Sequence, residues 1–100
     1  MFVVARSVIL ERRAQDALDS ALRRWKRAEL AWDAINWVLS HDPEAGPLLA
    51  EGHALRGFTY PGARSIDEPD VDVLYDDTVL AVTVHNLTFR DARSPNVGFG

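Results

Sequence analysis

Val71–Leu87 reads VDVLYDDTVLAVTVHNL. Val71, Val73 and Tyr75 alternate with Asp72 and Leu74, and further on Leu80, Val82 and Val84 alternate with Ala81, Thr83 and His85. Side chains on a strand point to opposite faces in turn, so each half predicts a strand with one apolar face, over Val71–Tyr75 and Thr78–Leu87. The short Asp76-Asp77 connection makes the pair an antiparallel hairpin. Upstream, Ala54–Tyr60 is a third strand candidate, closed by the Pro61-Gly62 turn.

The chain before this region differs in kind. All eleven glycines and prolines lie beyond Asp42. Phe2–Ile9 is apolar and β-branched apart from Arg6 and Ser7, and reads as a largely buried strand. From Glu11 the residues are mostly helix-compatible. Ala14, Ala17, Leu18, Ala21, Leu22 and Trp25 recur at helical spacing, and Leu30, Ala31, Ala34, Ile35 and Val38 form a second stripe with Trp32 and Trp37 beside it. One helix over 11–41 would be about 45 Å long. Two helices with a turn near Lys26–Glu29 fit a compact domain better. Asp42-Pro43 ends the second, because the residue before proline is pushed out of helical geometry, and PEAGPLLAEGH is a connecting loop. The expected class is α+β in the order β-α-α-β-β-β: an N-terminal strand, a helical hairpin, then a three-stranded antiparallel meander, with the hairpin on one face of the sheet. Residues 1–93 form one domain and 94–100 a flexible tail.

Composition narrows the function classes. A chain of 100 residues makes one domain. No apolar run approaches the ~20 residues of a membrane span, and the N-terminus lacks a signal-peptide order, so a cytoplasmic protein is expected. Cysteine is absent, which removes thiolate metal sites and cysteine nucleophiles. His41, His53 and His85 have no HxxxH or HExxH spacing, so no metal or other cofactor is expected. Eleven basic against fifteen acidic residues give a net charge of −4, which argues against a strongly basic nucleic-acid module. Residues 51–100 hold the whole excess, and Asp67–Asp77 (DEPDVDVLYDD) has six acids and no base. That run reads as a solvated acidic edge. Ten of the eleven basic residues are arginine, suited to bidentate contacts with phosphate and carboxylate. Arg56, Arg64, His85, Arg90 and Arg93 in the strand half are candidates for an arginine–histidine cluster that holds a phosphate, or are simply paired with the local acids. The tryptophans are core packing or a recognition surface, with Trp32, off the main stripe, the one expected to be partly exposed.

Several pieces resemble one family. Arg13–Leu18 (RAQDAL) is similar to a first-helix "A-x-x-D-L" region. Ala31–Gly46 (AWDAINWVLSHDPEAG) resembles a second helix followed by a "P-x-x-G" loop. Val71–Asp76 (VDVLYD) resembles a "yrvlY" strand, and Thr78–Asp91 (TVLAVTVHNLTFRD) a closing "v-x-I-x-x-V-x-H-x-x-R-D" strand with two extra residues between His85 and Arg90. Their order over residues 3–93 resembles the RelE/ParE superfamily of toxins from bacterial type II toxin–antitoxin, or plasmid-stabilisation, operons. The resemblance implies a strand, a helical hairpin and a curled antiparallel sheet. It also implies a small cognate antitoxin whose C-terminal segment folds on binding, and a monomer or dimer within a toxin–antitoxin hetero-oligomer. Asp72 stands where the ribonuclease branch presents an arginine, no C-terminal catalytic tyrosine or histidine follows Arg93, and the chain is acidic where these toxins are commonly basic. The ending looks closer to the ParE branch, which inhibits DNA gyrase. By that resemblance Arg64, His85 and Arg90 are the functional cluster, and Trp25, Trp32 and Arg93 contact the partner. The alternatives are a metal-independent endoribonuclease acting on mRNA, at the ribosome or free, and a degenerate, non-toxic interaction module.

Overall fold

The structure, a computed structural model, describes residues 6–49, 54–78 and 80–96. Its elements are β1 (Ser7–Leu10), α1 (Arg12–Arg24), α2 (Ala28–His41), β2 (Leu55–Tyr60), a 3-10 turn (Arg64–Ile66), β3 (Asp70–Asp77) and β4 (Ala81–Arg90). The expected α+β order holds. The four strands form one sheet in the order β1-β4-β3-β2. β2, β3 and β4 are antiparallel neighbours, while β1 lies parallel to β4, with Ser7 opposite Ala81 and Leu10 opposite Val84.

The core lies between the hairpin and one face of the sheet. Ala14 and Leu18 of α1 and Ala31, Ile35 and Leu39 of α2 pack against Val71, Val73, Tyr75, Val82, Val84 and Leu87. The α1 stripe is seated as its spacing predicts, except that Leu22 at its margin is exposed. The buried face of α2 is rotated from the expected one. It runs through Ala28, Ala31, Ile35 and Leu39, which leaves Leu30 outside. Trp32 packs at the edge of the core, and Trp37 is the exposed tryptophan, at 62%. The helices part at Trp25–Arg27.

Three boundaries differ from expectation. Asp76 and Asp77 belong to β3 and pair with Thr83 and Val82. The chain reverses after them, where the Thr78 hydroxyl donates to the Ala81 carbonyl at 2.9 Å. Leu80 therefore sits in the turn and is 85% exposed, so its place in the alternation did not make it a strand residue. In β4 the register shifts by one. Val84 faces Tyr75 and Asn86 faces Leu74, which leaves His85 as an extra residue. The bulge moves the buried positions from Val82 and Val84 to Leu87, so one strand serves the core on both sides of it. The expected first strand is described only from Ser7, and Phe2–Ala5 lie outside the described residues.

A buried tyrosine holds the loop after α2. The Tyr75 hydroxyl donates to the Pro43 carbonyl at 2.7 Å and accepts from the Gly46 amide at 3.0 Å. Gly46 is required there, because a Cβ would stand 2.8 Å from the Gly57 carbonyl oxygen. After β4, the Ser94 and Pro95 carbonyls accept from the Arg64 and Ser65 amides at 3.0 and 2.9 Å. The expected tail is described only as far as Asn96.

Candidate functional site

The acidic run is β3 with the residues leading into it, and all six acids have partners. Asp67 adopts a left-handed backbone (φ 54°) and accepts from the Lys26 amide at 2.8 Å. Glu68 accepts from the Tyr60 hydroxyl at 3.2 Å. Asp70 accepts from the Gly62 amide at 2.7 Å and the Arg93 amide at 3.3 Å. Asp72 binds Thr59 and Arg90, Asp76 binds His85, and Asp77 lies between Arg6 and Arg56. The expectation of a solvated edge is corrected. Glu68 and Asp70 are buried, at 6% and 5% exposure. Strand geometry explains the difference: Asp70, Asp72 and Asp76 fall on one face at even spacing, and each meets a different partner, the Gly62 amide, Arg90 and His85.

The site residues sort by environment. His85, lifted out of register by the bulge, has Nε2 3.0 Å from Asp76 Oδ2, and Nδ1 faces Glu11 at the start of α1. Each ring nitrogen thus faces a carboxylate rather than a substrate. Arg90 forms a two-pronged pair with Asp72, one arm of it 3.2 Å from Nη2 to Oδ1. That pair, helped by the Thr59 hydroxyl, holds the Asp72 carboxyl below the usual aspartate value. His85 and Arg90 are five residues apart on β4, about 16 Å along an extended strand. Arg64 is elsewhere, in the 3-10 turn beyond β2. The structure does not gather Arg64, His85 and Arg90 into one centre.

Between β2, β3 and β4, on the sheet face away from the helices, lies an open groove of about 330 Å³. Gly57, Thr59, Asp72, Leu74, Asn86 and Thr88 line it, with Leu49 at its margin. Among the described residues its one charged lining residue is Asp72, already bound to Arg90, and the lining contains no histidine, cysteine, lysine or tyrosine.

Arg64 stands between two other clefts at the end of the molecule where the helices turn. One, of about 320 Å³, is bounded by Trp25, Arg64, Asp67, Glu68, Asp91 and Ala92. Trp25 is 7% exposed, donates from Nε1 to Asp91 at 3.0 Å, and stacks on Phe89 with ring centroids 6.2 Å apart. The Arg24 guanidinium covers its other side, 4.3 Å from the ring centre. Trp25 is thus a packed residue with little surface to offer a partner, whereas Arg93 is exposed. The second cleft, of about 500 Å³, is lined by Lys26, Arg27, Arg64, Ser65, Ile66 and Asp67.

Reading the residue pattern missed the Tyr60–Glu68 pair. Burial raises the Glu68 carboxyl above its usual value, against the opposing Tyr60 hydrogen bond, and burial together with the Glu68 charge pushes Tyr60 up to about 12. No local signal marks that pair, because Glu68 lies in a run of look-alike acids. Among the described residues no group of three metal-ligating side chains is arranged to hold a metal ion, and His53 lies outside them. No helix of the described chain is long and apolar enough to cross a membrane. The sequence matches no family model and no curated protein.

Proposed function

We propose that the chain is the toxin component of a type II toxin–antitoxin module, of the ParE-like kind that acts by binding a protein target such as DNA gyrase. One observation carries the choice of branch. The two residues of the closing-strand motif, His85 and Arg90, are each closed by carboxylates. A metal-independent endoribonuclease needs a free base and a free cation at the scissile phosphate, and among the described residues the groove on the sheet supplies neither. The order β-α-α-β-β-β supports the wider resemblance. Leu30, Ala34 and Trp37, at i, i+4 and i+7 on the outer side of α2, offer an amphipathic antitoxin segment an apolar surface, with Leu30 48% and Trp37 62% exposed. This role falls to Trp37 in place of Trp32.

The test is induced expression in a bacterial host, with growth, plasmid supercoiling and translation followed together. The expected result is growth arrest in which supercoiling is lost before translation falls. Translation stopping first, with cleaved mRNA, would establish the ribonuclease alternative. A soluble protein that leaves growth unchanged would establish the interaction module. The Arg64→Ala/His85→Ala/Arg90→Ala variant keeps its toxicity if those residues act structurally, and loses it if they meet the target.

A further inference from the structure

The largest of these clefts lies between the α1–α2 turn and the 3-10 turn after β2, and three cations line it. Lys26 and Arg27 come from the helical turn, Arg64 from the 3-10 turn, and all three side chains are exposed. Ser65 adds a hydroxyl donor. Among the described residues none of the three cations makes an ion pair, although the chain has four more acids than bases and arginines pair with Asp72 and Asp77 of β3. The arrangement is also held firmly. The Lys26 amide bonds the Asp67 carboxylate at 2.8 Å, the Arg27 amide bonds the Asp67 carbonyl at 3.1 Å, and the Arg64 amide bonds Ser94 at 3.0 Å. The cations therefore cannot separate by moving the turn. Lys26 and Arg27 stand between the C-terminus of α1 and the N-terminus of α2, so the two helix dipoles act on them in opposite senses. Three like charges at one cleft, with Asp67 the single carboxylate among its lining residues, make a site for an anion.

We infer that this cleft binds adjacent phosphate groups through Lys26, Arg27 and Arg64. Two arginines provide planar donor pairs matched to phosphate oxygens, and the lysine a point charge. A volume of about 500 Å³ leaves room for more than one phosphate group beside the three cations. A free diphosphate and a nucleic-acid strand share that chemistry. The inference does not depend on the toxin reading.

The test measures binding of inorganic pyrophosphate and of a short oligothymidylate at low salt. The variants are Lys26→Gln/Arg27→Gln/Arg64→Gln and, as a control of equal charge change, Arg12→Gln/Arg13→Gln/Arg23→Gln on α1. Circular dichroism checks that each is folded. The cleft variant is expected to lose about tenfold or more in affinity while the control stays within about twofold. Tighter binding of pyrophosphate identifies a small diphosphate ligand. Tighter binding of the oligonucleotide identifies a strand, and the cleft variant then flattens the salt dependence by about 2 in slope, as three lost phosphate contacts require. The inference is overturned if neither probe binds at millimolar concentration, or if the control loses as much as the cleft variant. It is also overturned if polyglutamate binds more tightly than both phosphate probes, which would make the cleft an acidic-peptide site.

Discussion

Asp67–Asp77 and Arg23–Arg27 are both dense runs of one charge, and the fold treats them in opposite ways. The acids lie on and just before a strand with partners on both sides. Alternation sends Asp70, Asp72 and Asp76 to one face, where they meet the Gly62 amide, Arg90 at the end of β4 and the His85 bulge. The cations lie at the end of α1 and on the turn after it, and all four residues are exposed. Among the described residues, only the Arg24 side chain of the four meets a carboxylate, Asp91 at 3.7 Å, and both of those side chains are exposed. A charge run on an inner strand is neutralised by what the sheet brings beside it. A charge run on a helical turn stays open to solvent or a ligand.

The strongest way to break this comparison is at Asp70. Its carboxylate satisfies the Gly62 amide, and Gly62 has no freedom to move, since a Cβ there would stand 2.2 Å from the Pro69 carbonyl oxygen. Asp70→Ala is expected to cost about 2–3 kcal/mol in denaturant unfolding, because it leaves a buried amide unpaired. A loss under half a kilocalorie would return the run to a solvated edge. Tyr75→Phe comes next. It leaves the Gly46 amide without its acceptor and frees the loop after α2, for an expected loss of about 1–2 kcal/mol.

Glu68 sharpens the contrast from the other side, since among the described residues its only hydrogen-bonding side-chain partner is a neutral hydroxyl. Its folded-state value is raised, so the folded protein holds that proton more tightly than the unfolded chain does. The ionised carboxylate therefore costs stability above the raised value, and the cost is gone below the ordinary glutamate value. Glu68→Gln keeps an acceptor for Tyr60. It is expected to stabilise the protein slightly at pH 7 and to lose that advantage by pH 4, read from unfolding midpoints at the two pH values. A variant less stable at pH 7 would mean that the charge itself is needed. The smallest effect belongs to the open run. Lys26→Gln/Arg27→Gln should shift stability by no more than about 0.5 kcal/mol, and a larger loss would show that those cations have partners within the chain.

How far the fold could be read in advance follows from the same contrast. The glycine- and proline-free stretch and the two alternating runs pointed to the hairpin, the meander and the turn near Lys26, because local spacing governs each. The rotation of α2 that buries Leu39 and exposes Leu30 depends on where the helix meets the sheet. The His85 bulge interrupts an alternation that looks regular in sequence. The candidate site was less legible still. Trp25 finds Asp91 across 66 positions, and His85 finds Glu11 across 74. Such pairings are set by sheet register, and six similar acids gave no local reason to choose among them. Arg64 looked like a strand-half cation, yet the loop carrying it folds against the helical turn, beside Lys26 and Arg27.

The most direct test is a carbon-detected NMR titration of the Asp72 carboxyl in the wild type and in Arg90→Gln. The pair places the folded value of Asp72 below its unfolded value, so it adds stability above the ordinary aspartate value, which is lost as pH falls through the lowered one. Asp72 is predicted to titrate below the ordinary aspartate value in the wild type and to move back toward it in Arg90→Gln. An Asp72 that titrates at the ordinary value in both proteins would contradict the account, because Arg90 would then be free on the sheet and available to a substrate phosphate.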